Sequence, residues 1–396
     1  MIELISADVL DAYNLPAVDF QSFELEYFQS QFERTVEYNL ADSSVKCASA
    51  ADLLAGEDLT CVTALPLCYP EVNGTALLRE RIAALYPNAT ASNVLVTVGA
   101  AQANSIICAT LLASGDEVIV VSPGYRQVWG LARNIGCRVH EVHLRPENGW
   151  RLDLSELENL AGPRTKLISV VNPNNPTGSI LSAAEMERIV SICERSGAWL
   201  HADEVYCGTE LALPETRSFW GMYDRVICVN SLSKAYGLAG LRIGWALASP
   251  EMIEELWRRH EYAVIAAAGP SMALAEIALR ADKRRMLLER QKQLSREGHR
   301  ILRDWVRAQH GIFSVAEAVA TSIAFVRCHL EISSVALANQ IRTKASVLVA
   351  PGAYLGTENY LRITVGYEPE KVKSALARVA DALAELTTRN GALVNN

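Results

Sequence analysis

The amino-acid sequence predicts an α/β fold with a large domain built on a mostly parallel sheet and a smaller α+β domain. Strand and helix patterns alternate from about Val94 to Ala248, which is typical of parallel strands joined by crossover helices. The chain has 396 residues, more than one hydrophobic core usually holds. We therefore expect a large domain at 46–285, a small domain formed by 1–45 and 286–396, and a joining helix near 282–309.

Hydrophobic periodicity and turn residues predict the elements in chain order. Phe28 and Phe32 lie at helical spacing, so Leu25–Glu37 is predicted as a helix packed on the small domain. The charged stretch Asp282–Gln309 is predicted as one long, solvated helix. The other strands are expected from Val94, Val118, Leu167, Ala198 and Val226 and at Thr321–Arg327, Ser346–Ala350 and Tyr360–Gly366, and the other helices at Ala183–Ser196, Pro250–His260 and Pro369–Leu386.

Composition narrows the function classes. The sequence is 50% apolar and 21% charged, as in folded globular enzymes. Its net charge of −8 argues against nucleic acid as the main partner, because phosphate binding needs a basic surface. No run approaches the ~18 unbroken apolar residues of a membrane span. The acidic Glu3, Asp8 and Asp11 precede any basic residue, so a secretory signal is not expected either.

Cysteine and histidine usage gives two further expectations. The nine cysteines are scattered without a C-x-x-C pair, and several lie in apolar segments. That pattern favours a reducing cytoplasm over a disulfide framework. His140 and His143 would point to opposite faces of a strand, so no metal site is predicted.

Lys234 lies at the end of the small-residue segment Ser231–Lys234, which glycines and Arg242 follow. A lysine amine can form an imine with an aldehyde, and the hydroxyls of Ser231 and Ser233 with the Arg242 cation suit a dianionic phosphate. Pyridoxal 5'-phosphate (PLP) chemistry requires both features. For this segment alone, a solvated surface loop is the alternative interpretation.

Two other predicted strands end in polar residues of fitting chemistry. The rigid turn Asn172–Gly178 follows the strand from Leu167, although an ordinary strand-to-helix turn has the same composition. Asp203 ends the next strand; its carboxylate can keep a pyridinium nitrogen protonated, or it can cap a helix. Ligands of open α/β sheets bind at the carboxyl ends of the strands. Asn175, Asp203 and Lys234 are therefore expected at one edge of one sheet.

Arg362 lies inside the apolar strand Tyr360–Gly366. Burying a guanidinium without an anion is costly, and its planar fork suits a carboxylate. A structural salt bridge is the alternative interpretation.

From about Tyr69 to Gly366 the chain resembles the fold-type I PLP enzymes, specifically the class I/II aminotransferase family related to aspartate aminotransferase. The resemblance implies that Lys234 is the Schiff-base lysine and carries the proton during catalysis. It also implies that Asp203 partners the pyridine nitrogen and that Tyr206 and Asn175 bind the ring hydroxyl.

The resemblance extends to the phosphate and to the substrate. Ser231, Ser233 and Arg242 fall where the family binds the phosphate, together with backbone N–H groups at the helix start formed by Gly99, Ala100 and Ala101. Tyr125 matches the aromatic residue that stacks on the cofactor ring. Arg362 matches the arginine that binds the substrate α-carboxylate. Tyr69 resembles the tyrosine that a neighbouring subunit supplies, which implies a homodimer with a shared active site.

An aminotransferase that moves an amino group from an L-amino acid to a 2-oxo acid is the function that the resemblance implies first. The same residues serve elimination, replacement and cyclisation enzymes, so those reactions stay open. Asn39–Val45 departs from the Gly-rich loop of many relatives and faintly resembles the capreomycidine synthase branch, whose members cyclise hydroxylated arginine; an ordinary loop is the alternative. Within it, Asp42 would suit a cationic substrate side chain. A non-catalytic regulator of this fold is disfavoured, since Lys234, Asp203 and Arg362 are all present.

Overall fold

A computed structural model describes residues 20–56 and 59–389 of the chain; Glu3, Asp8 and Asp11 lie outside these residues. The strands are β1 Tyr38–Asn39, β2 Val94–Thr97, β3 Glu117–Ser122, β4 Arg138–Arg145, β5 Arg151–Leu152, β6 Thr165–Val171, β7 Trp199–Asp203, β8 Val226–Ser231, β9 Gly244–Leu247, β10 Phe313–Val315, β11 Ile323–Cys328, β12 Val347–Leu348, β13 Ala350–Pro351 and β14 Tyr360–Thr364.

The helices alternate with these strands through the first part of the chain and gather around the smaller sheet after it. They are α1 Glu24–Phe32, α2 Ala50–Leu54, α3 Thr60–Thr63, α4 Ala76–Ala83, α5 Gly99–Leu111, α6 Gln127–Ile135, α7 Leu154–Leu160, α8 Ala183–Ser196, α9 Pro250–Ala263, α10 Gly269–Ala278, α11 Ala281–Ala308, α12 Ser334–Ala345 and α13 Pro369–Arg389.

The larger sheet has eight strands in the order β2-β9-β8-β7-β6-β3-β4-β5. Pairing is parallel from β8 through β7, β6 and β3 to β4, whereas β2, β9 and β5 pair antiparallel. The prediction of a mostly parallel sheet is therefore confirmed. The central strands consist of buried apolar residues because helices cover both faces of such a sheet.

The smaller sheet is antiparallel, with the order β10-β11-β14-β13; α11 and α12 pack on it, and α13 packs on those two helices. This arrangement confirms the α+β part of the predicted fold. The exact domain boundaries stay a prediction, with the large domain at 46–285 and the small domain at 1–45 and 286–396.

Several predicted elements end up to three residues away from their predicted bounds, and two differ more because of tertiary contacts. The helix expected at Leu25–Glu37 ends at Phe32, since Tyr38 and Asn39 pair with Val347 and Leu348 as a short parallel ladder. The strand expected at Ser346–Ala350 is likewise divided into β12 and β13, because the two parts pair with different strands. Neither pairing has a signal in local periodicity.

The long helix α11 is not solvated on all sides. One face is buried and includes Leu287, Gln291, Ser295 and Leu302. A Cβ placed on Gly298 would lie 1.9 Å from the carbonyl oxygen of Val365, so this helix runs directly against the chain that leaves β14. The sequence identified the helix but not this close approach.

Membrane spans and metal clusters are both missing from the described residues. No helix there is long and apolar enough to cross a membrane. Within the same ranges, no group of three or more His, Cys, Asp or Glu side chains could hold a metal ion. Five of the free cysteines are buried, namely Cys108, Cys193, Cys207, Cys228 and Cys328.

Candidate active site

A cavity of about 350 Å³ opens at the carboxyl ends of β3, β6, β7 and β8. Its volume lies in the usual range for small-molecule sites, and this edge of a parallel sheet is where such sites form. Most of the predicted site residues border it: Asp42, Ala100, Ala101, Tyr125, Asn175, Asp203, Tyr206, Ser231, Ser233, Lys234 and Arg242.

Strand register places the central residues side by side. Asp203, the last residue of β7, is paired with Val171 of β6 and Val229 of β8. The turns that continue β6 and β8 therefore start beside Asp203 and carry Asn175 and Lys234 to the cavity. The expected meeting of these side chains at one sheet edge follows directly from this register.

Asp203 is a buried carboxyl group with few compensating contacts. Its burial raises the pKa to about 6, and the Val205 N–H, the Asn104 side chain and the Lys234 charge only partly offset this effect. The Val205 N–H donates to Asp203 Oδ1 over 3.2 Å. A buried carboxylate held in this way is suited to pair with a cationic ring nitrogen.

Asn104 and His201 form a buried hydrogen-bonded chain next to Asp203, and the sequence analysis did not predict it. His201 Nε2 lies 2.9 Å from Asn104 Oδ1, and His201 Nδ1 lies 2.9 Å from Ser169 Oγ. Burial lowers the pKa of His201 to about 4, so the ring is neutral at physiological pH. Asn104 stands one helical turn after Ala100 and Ala101 on α5, and that spacing is a signal from which it could have been predicted.

The antiparallel strand β9 lies between the residues that are predicted to bind the phosphate. Gly244 is paired with both Thr97 and Ser231, so the start of β9 lies between the ends of β2 and β8. A Cβ on Gly244 would lie 2.5 Å from the Ala100 nitrogen, which leaves room only for glycine. The N-terminus of α5, which follows β2, and Ser231, which ends β8, are thus separated by the single strand β9.

Arg242 closes the same end of the cavity. Gly99, with a φ of 76°, begins α5, and a Cβ there would lie 2.5 Å from Arg242 Nη2. Gly99 itself does not border the cavity, whereas Ala100 and Ala101 do. A guanidinium against a helix N-terminus, with Ser231 and Ser233 beside it, has the donors that a phosphate requires.

Tyr125 lies beyond the end of β3 and donates from its hydroxyl to Glu26 Oε1 over 3.0 Å. Burial and the nearby Glu26 carboxylate raise the pKa of this phenol well above its usual range, so it stays protonated. Glu26 and Gln127 also border the cavity, and neither was predicted from the sequence. Glu26 lies 99 positions from Tyr125, too far for any local pattern to join them.

The Lys234 amine hydrogen-bonds to residues of the predicted Asn39–Val45 segment. Its Nζ donates to Ser43 Oγ over 2.8 Å and to Ser44 Oγ over 3.3 Å. Tyr206 donates from its hydroxyl to the Ser43 carbonyl over 3.4 Å. The segment contributes Asp42, Ser43 and Ser44 to the cavity wall.

Besides Gly99, two predicted residues do not border the cavity of this chain. Arg362 is buried behind Asn175: its Nη1 donates to Asn175 Oδ1 over 3.0 Å and its Nη2 to the Ala41 carbonyl over 2.6 Å. Its Nε is buried without a hydrogen-bond partner. Tyr69 is 81% exposed on the surface. The α-carboxylate role of Arg362 and the neighbouring-subunit role of Tyr69 both stay predictions.

The residues around the cavity fit PLP. They supply a lysine amine, a buried carboxyl group, an aromatic ring and a cationic, N–H-rich end of the cavity. A Cβ at position 99 would meet Arg242 and one at position 244 would meet the Ala100 nitrogen, so glycine is required at both positions beside that cationic end. Each part matches one functional group of the cofactor.

Comparison with known proteins gives consistent findings. The family model for aminotransferase class I and II matches residues 67–379. Capreomycidine synthase of Streptomyces vinaceus is 28% identical over 311 residues, covering 78% of this chain and 79% of that protein. Arginine–pyruvate transaminase of Pseudomonas aeruginosa is 28% identical over 342 residues, covering 80% and 83%. The crystal structure of a PLP-dependent aminotransferase from Streptococcus suis matches with a TM-score of 0.87 and 28% identity, covering 93% of this chain and 98% of that one.

Proposed function

This chain belongs to the class I and II aminotransferase family, whose cofactor is PLP, and we propose that it transfers the amino group of an L-amino acid to a 2-oxo acid. The observation that carries the proposal is the convergence of Lys234, Asp203 and Asn175 on one cavity with Arg242 at its far end. Lys234, Asp203 and Asn175 follow the ends of three strands. One small molecule in the cavity could therefore contact an amine, a carboxyl group and an anion-binding guanidinium at the same time.

The proposed roles follow from the chemistry of each side chain. Lys234 would bind the cofactor through Nζ and move the substrate α-proton. Asp203 would hold the ring nitrogen in its protonated form, and Asn175 and Tyr206 would hold the ring hydroxyl. Bound in this way, PLP supplies an electron sink for charge that develops at the α-carbon.

The phosphate would lie at the other end of the cavity. Ser231, Ser233, Arg242 and the backbone N–H groups of Ala100 and Ala101 would hold it there, and Tyr125 would cover the ring. Arg362 would bind the substrate α-carboxylate. It would either lose its hydrogen bond to Asn175 or keep that bond through Nη1 and bind the carboxylate with its other nitrogens.

A single-turnover experiment tests this function. Enzyme loaded with PLP is mixed with one amino acid at a time, without any 2-oxo acid, and the visible absorbance and the products are followed. For an aminotransferase we expect loss of the visible band together with one equivalent of the corresponding 2-oxo acid. Recovery of the band with a dehydrated, deaminated or cyclised product would instead support an elimination or cyclisation enzyme.

A capreomycidine synthase-like cyclisation is the second candidate, and Asp42 is the observation that favours it. Asp42 borders the cavity, and one of its oxygens, Oδ1, accepts hydrogen bonds from the Ser43 and Ser44 N–H groups over 2.5 and 3.0 Å. The carboxylate is thereby fixed in place with a negative charge available to a cationic side chain. One relative is named an arginine–pyruvate transaminase, and the resemblance to capreomycidine synthase implies a hydroxylated arginine, so arginine is the first amino acid to test.

The Asp42→Asn variant separates the charge of Asp42 from its structural role, because the amide oxygen still accepts both N–H bonds. If Asp42 binds a guanidinium, we expect kcat/KM for arginine to fall about 10- to 100-fold, the effect of losing one charge-assisted hydrogen bond of roughly 1.5–3 kcal/mol. The value for alanine should change less than about twofold. Equal effects on arginine and alanine would contradict a role in cation recognition.

A homodimer with a shared active site is also proposed. Leu67, Tyr69 and Tyr262 are 90%, 81% and 97% exposed, the highest values among the exposed large apolar side chains of the described residues. A Cβ placed on Gly269, seven positions after Tyr262, would lie 4.0 Å from Pro70 Cβ, so the chain that follows Tyr262 lies near the chain that follows Tyr69. Light scattering should give about twice the 43.3 kDa chain mass, and Tyr69→Ala should weaken PLP binding about tenfold. A monomer with normal PLP affinity would contradict the proposal.

A further inference from the structure

The Asn39–Val45 segment is held rigidly against the small sheet. The Leu40 N–H donates to the Leu348 carbonyl over 2.8 Å, and the Thr364 N–H donates to the Leu40 carbonyl over the same distance. Arg362 Nη2 donates to the Ala41 carbonyl over 2.6 Å. Both strand neighbours and a buried guanidinium thus fix the backbone that precedes Asp42.

The two serines that follow are fixed as well. Asp42 Oδ1 accepts from the N–H groups of both Ser43 and Ser44, and the Lys46 N–H donates to the Gly366 carbonyl over 2.8 Å. Ser43 and Ser44 are only 7% and 2% exposed. Their hydroxyl groups are therefore presented to the cavity from a segment with little freedom to move.

The Lys234 amine is the group that these hydroxyls face, at 2.8 Å from Ser43 Oγ and 3.3 Å from Ser44 Oγ. A lysine side chain has four rotatable bonds, and fixing it costs up to about 2 kcal/mol of conformational entropy. Two hydroxyl acceptors on a rigid segment supply the hydrogen bonds that offset this cost. The amine is thus held in one position when it forms no covalent bond.

We propose that Ser43 and Ser44 are positioning residues that hold the Lys234 amine whenever it is not bonded to the cofactor. This inference rests on the proposed function, in which an incoming amino acid releases that amine. The released amine is the group that takes the α-proton, so its position governs both the exchange equilibrium and the rate of proton removal. The two serines therefore stabilise the amine that is released from the cofactor. They also reduce the number of conformations that Nζ samples before it takes the α-proton.

An equilibrium titration tests the inference without turnover. The PLP-loaded enzyme is titrated with 2-methylalanine, which has no α-hydrogen and so displaces Lys234 without further reaction, and the visible absorbance is followed. In the Ser43→Ala/Ser44→Ala double variant we expect the dissociation constant to rise about tenfold, the effect of losing two ordinary hydrogen bonds. Ser43→Ala should have the larger single effect, because its hydroxyl is nearer to Nζ.

Matched variants separate positioning from folding. Ser43→Thr keeps the hydroxyl and should bind 2-methylalanine within about twofold of the wild type. Ser191 lies in α8, where its Oγ accepts a hydrogen bond from Arg195. The Ser191→Ala variant should bind 2-methylalanine as the wild type does. If the double variant does not fold, the comparison of Ser43→Ala with Ser43→Thr gives the same information.

Proton removal gives an independent readout. With the donor identified by the single-turnover experiment, the double variant should have a lower kcat and a larger kinetic isotope effect for the α-deuterated donor. Unchanged 2-methylalanine binding and an unchanged isotope effect in the double variant would overturn the serine proposal alone. Release of the 2-oxo acid at the wild-type rate by Lys234→Ala would overturn both this inference and the function on which it rests.

Discussion

Replacement of Lys234 with alanine is expected to reduce turnover by at least about 10⁴-fold, because it removes both the covalent attachment and the proton-transferring amine, each of which supplies several kcal/mol. The part of the visible absorbance that depends on the covalent bond between PLP and Lys234 should be missing from the variant. PLP should still bind, since the residues that would hold its phosphate and ring are unchanged. Rapid-quench product analysis and absorbance spectra measure both effects.

The Lys166→Ala variant is the matched control for the lysine substitution. Lys166 lies in β6 as an exposed residue and does not border the cavity. It should keep wild-type turnover and the visible band. Wild-type turnover in Lys234→Ala, measured in a preparation free of host aminotransferases, would contradict the central assignment.

Replacement of Asp203 with asparagine is expected to reduce kcat/KM by roughly 10²- to 5 × 10³-fold. The variant removes one partner of a buried charge pair, a change that costs about 3–5 kcal/mol, and each 1.36 kcal/mol is a tenfold effect. The shape of the side chain and the hydrogen bond from the Val205 N–H are kept. Steady-state kinetics with the identified donor measure the loss; a variant within twofold of the wild type would exclude the proposed role of Asp203.

The same substitution should stabilise the protein in the absence of PLP. Burial raises the pKa of Asp203 from 3.8 to about 6, so the ionised carboxylate is disfavoured in the folded state. Its contribution to stability is therefore complete below the unfolded pKa and is lost as the pH rises through the folded pKa. The amide of the Asp203→Asn variant does not ionise, so the variant escapes this loss at every pH.

The pH dependence of this stabilisation can be calculated from the two pKa values. Asp203→Asn should raise the free energy of unfolding by about 3 kcal/mol at pH 7.5 and by only about 1 kcal/mol at pH 4.5. Urea unfolding of both proteins at these two pH values measures the difference. A gain that grows toward low pH would show that the carboxylate is stabilised, not penalised, by its surroundings.

Much of the fold was predictable because its strands carry strong local signals. The buried strands from Leu167 and Val226 are β-branched runs that end in turn residues, and α8 was predicted with its observed bounds, since Ser182 caps it and Gly197 ends it. The errors arose where distant contacts override the local signal. The helix predicted to Glu37 stopped at Phe32 because Tyr38 and Asn39 pair with a strand more than 300 positions away.

The sequence by itself determined the chemistry of the site: a lysine after one strand, a carboxyl group at the end of the next, and polar turns beside them. These residues follow consecutive parallel strands, so chain connectivity alone brings them to one edge of the sheet. Only the tertiary structure decided what surrounds them. The serine hydroxyls on Lys234 lie 191 and 190 positions away in the sequence, and Arg362 reaches Asn175 across 187. Such contacts depend on how the small sheet packs against the large one, and residue periodicity carries no information about that packing.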